Sequence, residues 1–382
     1  MAAKNKSQND GKRRHFDENA VAHVCHYFFE GRGPKEIADM MTTMHDTPMS
    51  QQEPYRLIQK AIKHYRWLHL SSPINTELSE KIRQTFNLHY AGVTLTSFVD
   101  DVASRTAFLI LDLLREMRRD PMNQREVHIG FSGGHTARKV FQKLANLLAE
   151  PSDSLPETIV CHALVAGIDT EAPGTDPTSF FSFLADQNLS DNRRFVLLNA
   201  PPIVRSAEWA SFRGLPPIAK AIREAEKLDV IVTSAANFRD SHSQLKKNFL
   251  EYSPETITGL EQDGCIGDIL WQPISAEGLL DMSKYEYRPV TILRLEDLPH
   301  LAARGKRIVL ALGPCAALEH SQTEASKATV LEALLNHSLS GKTSITHLVV
   351  DSRTAQELMR NRRTEPKTAA AAVGSDSSSS RP

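Results

Sequence analysis

EVHIGFSGGHTARKVFQKLANLLA, residues 126–149, decides the fold. A short apolar run, Glu126–Phe131, ends in the turn Ser132-Gly133-Gly134-His135-Thr136 and passes directly into a helix-forming stretch. The run is continuous in its apolar character, not alternating, so it reads as a strand covered on both faces, the kind found in parallel sheets wrapped by helices. Outward from it the same texture recurs in TIVCHALVAG (158–167), RFVLLN (194–199), DVIVTS (229–234), GDILW (267–271), VTILR (290–294), RIVLAL (307–312) and THLVVD (346–351). Short apolar runs alternating with amphipathic helices predict an α/β domain, Rossmann-like and doubly wound, with a mostly parallel sheet.

The glycine turn also carries chemistry. Ser132, Gly133, Gly134, His135 and Thr136 present backbone N–H groups and hydroxyls at the positive end of a helix, a seat for phosphate. The same letters fit a rival: Gly130-Phe131-Ser132-Gly133-Gly134 satisfies G-x-S-x-G, the strained elbow that exposes a nucleophilic serine in α/β-hydrolases. That elbow needs strands upstream, whereas residues 17–120 read as helical. It also needs a histidine after the last strand-end acid, Asp351, and none follows.

Upstream the chain reads as helices only. Asp17 can cap a helix whose apolar residues Val21, Val24, Cys25, Phe28 and Phe29 recur at helical spacing, stopped by Gly31-Arg32-Gly33. Pro34 suits the first position of a second helix, whose inward face is Ile37, Ala38, Met40 and Met41. After TTMHDTPM, Ser50-x-x-Glu53 is a capping box that starts a third. Leu57, Ile58, Ala61, Ile62 and Tyr65 form its apolar stripe. Its other face carries Gln51, Gln52, Tyr55, Arg56, Gln59, Lys60 and Lys63, side chains that can read base edges and pair with phosphate in a major groove. Pro54 is the discordant residue, since inside the helix it removes one backbone hydrogen bond. Three short helices with a glycine corner predict a helix-turn-helix module over residues 17–70. The segment 97–120, apolar nearly all round near Phe108–Leu111, is either a buried helix or an oligomer contact.

Bulk properties set the frame. A chain of 382 residues accommodates two domains. Its formal net charge of -1 offers no global attraction to nucleic acid, although residues 1–70 hold eleven Lys/Arg against eight Asp/Glu. Cys25, Cys161, Cys265 and Cys315 form no Cys-x-x-Cys pair, so neither a zinc module nor a disulfide framework is expected, and a cytoplasmic setting fits. No secretory leader and no membrane span are expected. Residues 1–16 read as a flexible basic arm, 71–120 as a linker and helical lead-in, 121–362 as an effector domain and 366–382 as a disordered tail. Gly341-Lys342-Thr343 fails as a phosphate loop because position 336 is Asn and a strand follows. His23 and His26 lack a third ligand, so no metal is expected, and Asp100-Asp101 reads as a solvated pair.

The run YFFEGRGPKEIADMM…MSQQEPYRLIQKAIKHYRWLHL resembles the DNA-binding end of the SorC/DeoR-type sugar-binding transcriptional regulators. In the recognition-helix pattern the matching positions are Ser50, Arg56, Leu57, Ile58 and Ala61. The resemblance extends from about residue 70 to 361 through Gly133-Gly134-His135-Thr136, RFVLLNAPPIVRSAEW, CIGDILWQPISAEG and RIVLALG…SKATVLEALL…ITHLVVDSRTAQELM. It implies a fold like that of sugar-phosphate isomerases and deaminases, used for sensing. In it Ser132–Thr136 hold a phosphate, Asp268 faces sugar hydroxyls and Lys327 neutralises anionic charge. The sequence departs from the pattern at Thr233-Ser234-Ala235, at Pro273-Ile274-Ser275 and in the insertion before Lys327. The implied protein is no enzyme and has no cofactor: it binds an operator duplex and a small carbohydrate or sugar-phosphate effector, as a homo-oligomer. The alternative is a sugar-phosphate isomerase or deaminase, for which the loop after DVIVTS offers Asp240 and His242.

Overall fold

The computed structural model describes residues 16–45, 48–63, 71–120, 125–149, 154–167, 174, 176–185, 192–240, 243–314, 326–336 and 344–364. The chain divides into two compact units that meet at Leu70 and Ser71. The arm before residue 16, the tail after 364, the candidate positions His242 and Gly341-Lys342-Thr343, and the insertion before Ser326 lie outside the described residues.

The first unit contains three described helices: α1 (Glu18–Phe29), α2 (Pro34–His45) and α3 (Glu53–Lys63). Asp17 caps α1 by accepting from the Ala20 N–H at 2.9 Å, an interaction of about 1 kcal/mol. Gly31 ends it at φ +83°, a conformation open to glycine. Val21, Val24, Ile37, Met41, Leu57 and Ala61 form one small core. Two expected core residues lie outside it: Phe28 is 40% and Phe29 60% exposed, because the apolar arc of α1 is wider than the face its partners cover. Met40 is half-buried and Ile62 is exposed.

Helix α3 starts later than the capping box suggests. Ser50, Gln51 and Gln52 form a turn, closed by the Glu53 N–H donating to the Ser50 carbonyl at 3.0 Å. Glu53 reaches back to accept from the Ser50 N–H at 2.6 Å, which is half of the expected reciprocal box. Pro54 is therefore the second helical residue, where its missing N–H costs nothing. The turn is held to α2 by the Met49 N–H, which donates to Thr42 Oγ1 at 2.8 Å.

The second unit opens with α4 (Thr76–Thr85), strand β1 (Tyr90–Val93) and the long helix α5 (Val99–Arg119). It continues through β2 (Glu126–Phe131), α6 (His135–Leu148), β3 (Thr158–Ala163), short helices α7 (Pro177–Phe180) and α8 (Ser182–Ala185), β4 (Arg193–Val196) and β5 (Ile203–Arg205). Then come α9 (Trp209–Arg213), α10 (Pro216–Ala225), β6 (Val230–Thr233), β7 (Ala235–Asn237), α11 (Gln244–Tyr252), α12 (Pro254–Gln262), β8 (Cys265–Ile269), β9 (Gln272–Ser275) and β10 (Gly278–Leu279). The chain closes with β11 (Tyr287–Pro289), α13 (Leu298–Ala303), β12 (Arg307–Leu312), α14 (Ala328–Asn336), β13 (His347–Val350) and α15 (Ser352–Thr364).

Seven of these strands form one parallel sheet in the order β1-β13-β12-β6-β2-β3-β4. From β2 the chain winds outward through β3 and β4, and from β6 it winds the other way through β12 and β13. The reversal lies between β2 and β6, and the crevice beyond the carboxyl ends of those strands is where open α/β sheets bind ligands. Central strands are buried on both sides: β6 and β13 are buried at every residue, as continuous apolar runs require.

Four sequence expectations change. Residues 71–120, expected as a linker and lead-in, supply edge strand β1, paired with β13, and α5, whose Ile110 and Leu114 are fully buried in the main core. Helix α5 is thus a core helix of this unit. GDILW does not join the parallel sheet: it forms β8 and a turn of a four-stranded antiparallel sheet, β10-β9-β8-β7. VTILR is no strand; only Thr291 makes a bridge, to Val165, because Thr291 Oγ1 and neighbouring backbone bend the segment around Leu164 and Leu293. Asp101 is not merely solvated either, since it accepts from Ser72 Oγ at 2.7 Å and from Thr96, while Asp100 pairs with Lys139 at 2.6 Å.

Candidate functional site

At the reversal of strand order, a cleft of about 210 Å³ brings together Ser132, Gly133, Gly134, His135 and Thr136 from the β2–α6 turn, Asp268 from β8 and Lys327 from the start of α14. All seven expected effector-side residues thus line one cavity, although they span almost 200 positions of chain.

The turn is built by backbone. The Ser132 N–H donates to the Val232 carbonyl at 3.0 Å, fixing the turn to the neighbouring strand. Gly134 caps α6 at φ +103° and ψ 169°, with no side-chain cap on the helix. That conformation belongs essentially to glycine. The first N–H groups of α6 thus have no side-chain cap, and a helix start of this kind is a favourable seat for an anion. Ser132 and Thr136 are buried and His135 is exposed.

Opposite the turn stands Asp268, 6% exposed. Burial pushes its carboxyl up to about 7; the Ser243 hydroxyl, which donates to Oδ2 at 3.3 Å, the Lys327 charge and the Trp271 N–H pull it down, and Asp240 pushes it up again. Its position is set by a two-residue turn, Leu270-Trp271, joining β8 to β9, with Ile269 facing Gln272. Both turn residues adopt positive φ, 52° and 60°, where Asn-Gly is the ordinary choice. Bulky side chains in that conformation mark strain stored beside a site.

Lys327 is 7% exposed, and no hydrogen-bond or ion-pair partner for its ammonium is found among the described residues. A buried lysine without an acid within bonding distance attracts an anion from solution. The segment carrying it is fastened from two sides: Asn237 Nδ2 donates to the Ser326 carbonyl at 2.9 Å, and Ser326 Oγ accepts from the Ala328 N–H at 3.0 Å.

Sequence reading missed Ser243, Asn237, Lys247 and Trp271. Ser243, Lys247 and Trp271 line the cleft. Ser243 has a local signal, since it caps α11 by accepting from the Lys246 N–H. Asn237 and Trp271 have none, because their roles come from pairing distant segments.

The rival catalytic assemblies can be compared with this geometry. Asp351 accepts from the Arg353 and Thr354 N–H groups and from Thr354 Oγ1 at 2.6 Å, so it caps α15 and is fully used. Ser132 Oγ has only the Gly133 carbonyl, at 3.4 Å, as a described partner. Asp240 does line the cleft.

In the first unit Tyr55, Arg56 and Gln59 are exposed on α3, and Gln51 and Gln52 are exposed in the turn before it instead of on the helix itself. Lys60 differs from expectation: it is half-buried, and its ammonium donates to the Phe16 carbonyl at 3.3 Å. The Lys63 side chain lies outside the described residues.

Comparison with known proteins places this geometry. The full-length sorbitol operon regulator SorC from Klebsiella pneumoniae has a similar fold, at 16% identity and a TM-score of 0.59, over 91% of this chain and 100% of that one. A DeoR family transcriptional regulator from Listeria monocytogenes is similar at 17% identity and a TM-score of 0.52, over 74% and 98%. A transcriptional regulator from Streptococcus pneumoniae is similar at 13% identity and a TM-score of 0.55, over 75% and 97%. No curated protein matches in sequence. The family model described as "Putative sugar-binding domain" matches residues 74–360, the whole of the parallel sheet and the cleft included. This chain therefore belongs to that "Putative sugar-binding domain" family.

Proposed function

We propose that this protein is a sequence-specific DNA-binding transcriptional regulator whose operator affinity is set by a small phosphorylated carbohydrate in the cleft between β2 and β6. One observation carries the reading. A side-chain-free helix start beyond Gly134, a buried Lys327 and a hydroxyl-seeking Asp268 converge on one small cavity. The helix start and the ammonium offer two positive poles for phosphate. The carboxylate and Ser243 suit sugar hydroxyls. In this account no covalent step occurs, so the protein is no enzyme. Asp351 is spent on capping, which disfavours a Ser132 hydrolase.

The DNA-reading surface is α3 with the turn before it, as the second helix of a helix-turn-helix formed with α2. Arg56 and Gln59 supply base contacts, with Gln51, Gln52 and Tyr55 beside them; Lys60 holds Phe16 and supports the surface indirectly. Two copies of the module on paired half-sites require a homo-oligomer, and a cytoplasmic location follows from the role.

A thermal-shift screen against sugar phosphates and the matching free sugars tests the sensing half. A ligand at a hundred times its dissociation constant should add about 2.7 kcal/mol of stability. Stabilisation by a phosphorylated sugar, lost in Lys327→Met, supports the reading. Release of product from any such compound, abolished by Asp240→Asn, would favour an isomerase or deaminase.

A further inference from the structure

A second cavity in the same unit, about 590 Å³ in volume, shares no lining residue with the cleft. It lies among α9, the β9–β10 hairpin and the segment from Arg288 to Glu296. Arg288 is among its lining residues. The guanidinium rests on the Trp209 indole, 4.4 Å from the ring centroid, and Phe212 stacks with the same indole at 6.0 Å. The stack fixes the cation in place, yet Arg288 Nε is buried with no hydrogen-bond partner. A buried donor of this kind is ordinarily satisfied.

Three arginines, Arg213, Arg288 and Arg294, and three acids, Glu277, Asp281 and Glu296, line the cavity. Burial and then repulsion by Arg294 lower the Arg288 pKa; Asp281 opposes this, and Arg213 adds to it. Asp281 is occupied in capping, as it accepts from the Ser283 N–H at 2.9 Å, and no ion pair joins it to Arg288 among the described residues. Arg213 also approaches the Trp209 ring, at 5.9 Å. Arg294 pairs with Glu296 at the exposed rim. Behind the arginines the wall is apolar, with Ile274, Ile292 and Leu295 all buried.

We propose that this cavity is a second ligand site, taking the oxyanion of a small phosphorylated or carboxylated metabolite on Arg288. Arg213 and Arg294 stand at its entrance, and the apolar wall receives the carbon skeleton. A planar fork pre-set by stacking is suited to bidentate contact with phosphate or carboxylate. The β8–β9 hairpin serves both cavities: Asp268 and Trp271 face the first, Gln272 and Ile274 the second.

Equilibrium dialysis of the full-length chain with inorganic phosphate as probe tests the site, with citrate as competitor. In Lys327→Met, which disables the first site, a phosphate should still bind. Arg288→Gln in that background should weaken it at least about tenfold, since a charged hydrogen-bonding fork is lost. Arg294→Gln, at the rim and clear of the Trp209 stack, should weaken it severalfold and guards against a folding defect in the first variant. Displacement by citrate admits carboxylates, and no displacement confines the site to phosphates. The proposal is overturned if Lys327→Met alone removes all phosphate binding, or if both arginine variants bind phosphate like their parent. It is overturned equally if they change only the sedimentation coefficient, which would make the cavity a contact between copies.

Discussion

Asn237 Nδ2 donates to the carbonyl of Ser326 at 2.9 Å, tying the end of β7 to the residue immediately before Lys327. Through this bond the position of an ammonium on one side of the cleft depends on an amide from the other. Asn237 Oδ1 accepts from the Arg239 N–H at 2.8 Å, so the amide is itself held in one orientation.

Asn237→Ala removes the tie without touching the cleft lining. The expected loss of stability is about 1 kcal/mol, the worth of an ordinary hydrogen bond. Effector affinity should fall more than this, because Lys327 is released from its position. Calorimetric titration with the effector found in the screen, beside thermal unfolding, separates the two.

Gly134→Ala isolates backbone conformation. Nothing lies within 4 Å of an added Cβ, so no clash is created. The cost arises from φ +103°, and is about 1–3 kcal/mol. The turn should relax to another conformation and phosphate binding should drop, while the rest of the unit keeps its circular dichroism. Unchanged ligand affinity would show that the turn does not seat the phosphate.

Asp268 gives the effector-free protein a pH signature. Its folded value, about 7, lies above the ordinary 3.8, so the folded state disfavours the charged form. Below pH 4 the group is protonated folded and unfolded, and it contributes nothing to pH dependence. Between pH 4 and 7 the unfolded chain loses the proton first, and stability falls as pH rises; above 7 the penalty is constant, at most about 4 kcal/mol. Asp268→Asn should therefore stabilise the ligand-free protein at pH 8, change little at pH 4, and bind sugar more weakly. Denaturant titrations at the two pH values measure it.

The parallel sheet was largely legible because strands buried on both faces leave continuous apolar runs, and the phosphate turn because glycine is conspicuous between strand and helix. Strand β1 was not legible, since Tyr90–Val93 is too short to stand out beside α4 and α5. The Leu270-Trp271 turn carries no turn residues at all, so GDILW looked like one long strand. Helical spacing places Lys60 on the outer face, whereas its reach to Phe16 depends on how the chain enters α1. Most of the cleft was found only by motif; the support from Ser243 and Asn237 is tertiary.

Arg56 is exposed, and no described residue bonds its side chain, so Arg56→Ala should leave thermal stability within about 0.5 kcal/mol. Operator binding should weaken by about 1–3 kcal/mol, with relaxed preference at the base it reads. Lys60→Ala should instead lower stability of the first unit. A reversed pattern would place the reading face elsewhere.

The central claim joins a DNA-reading helix to a sugar-phosphate cleft in one chain, and selection of bound duplexes from a random pool, followed by fluorescence anisotropy with and without sugar phosphates, tests it most directly. The account predicts an enriched site with two half-sites, whose affinity changes with a phosphorylated sugar in the wild-type protein, is unresponsive in Lys327→Met, and is weakened with relaxed base preference in Arg56→Ala. Failure to enrich any duplex, or a site whose affinity no sugar phosphate alters, would contradict it.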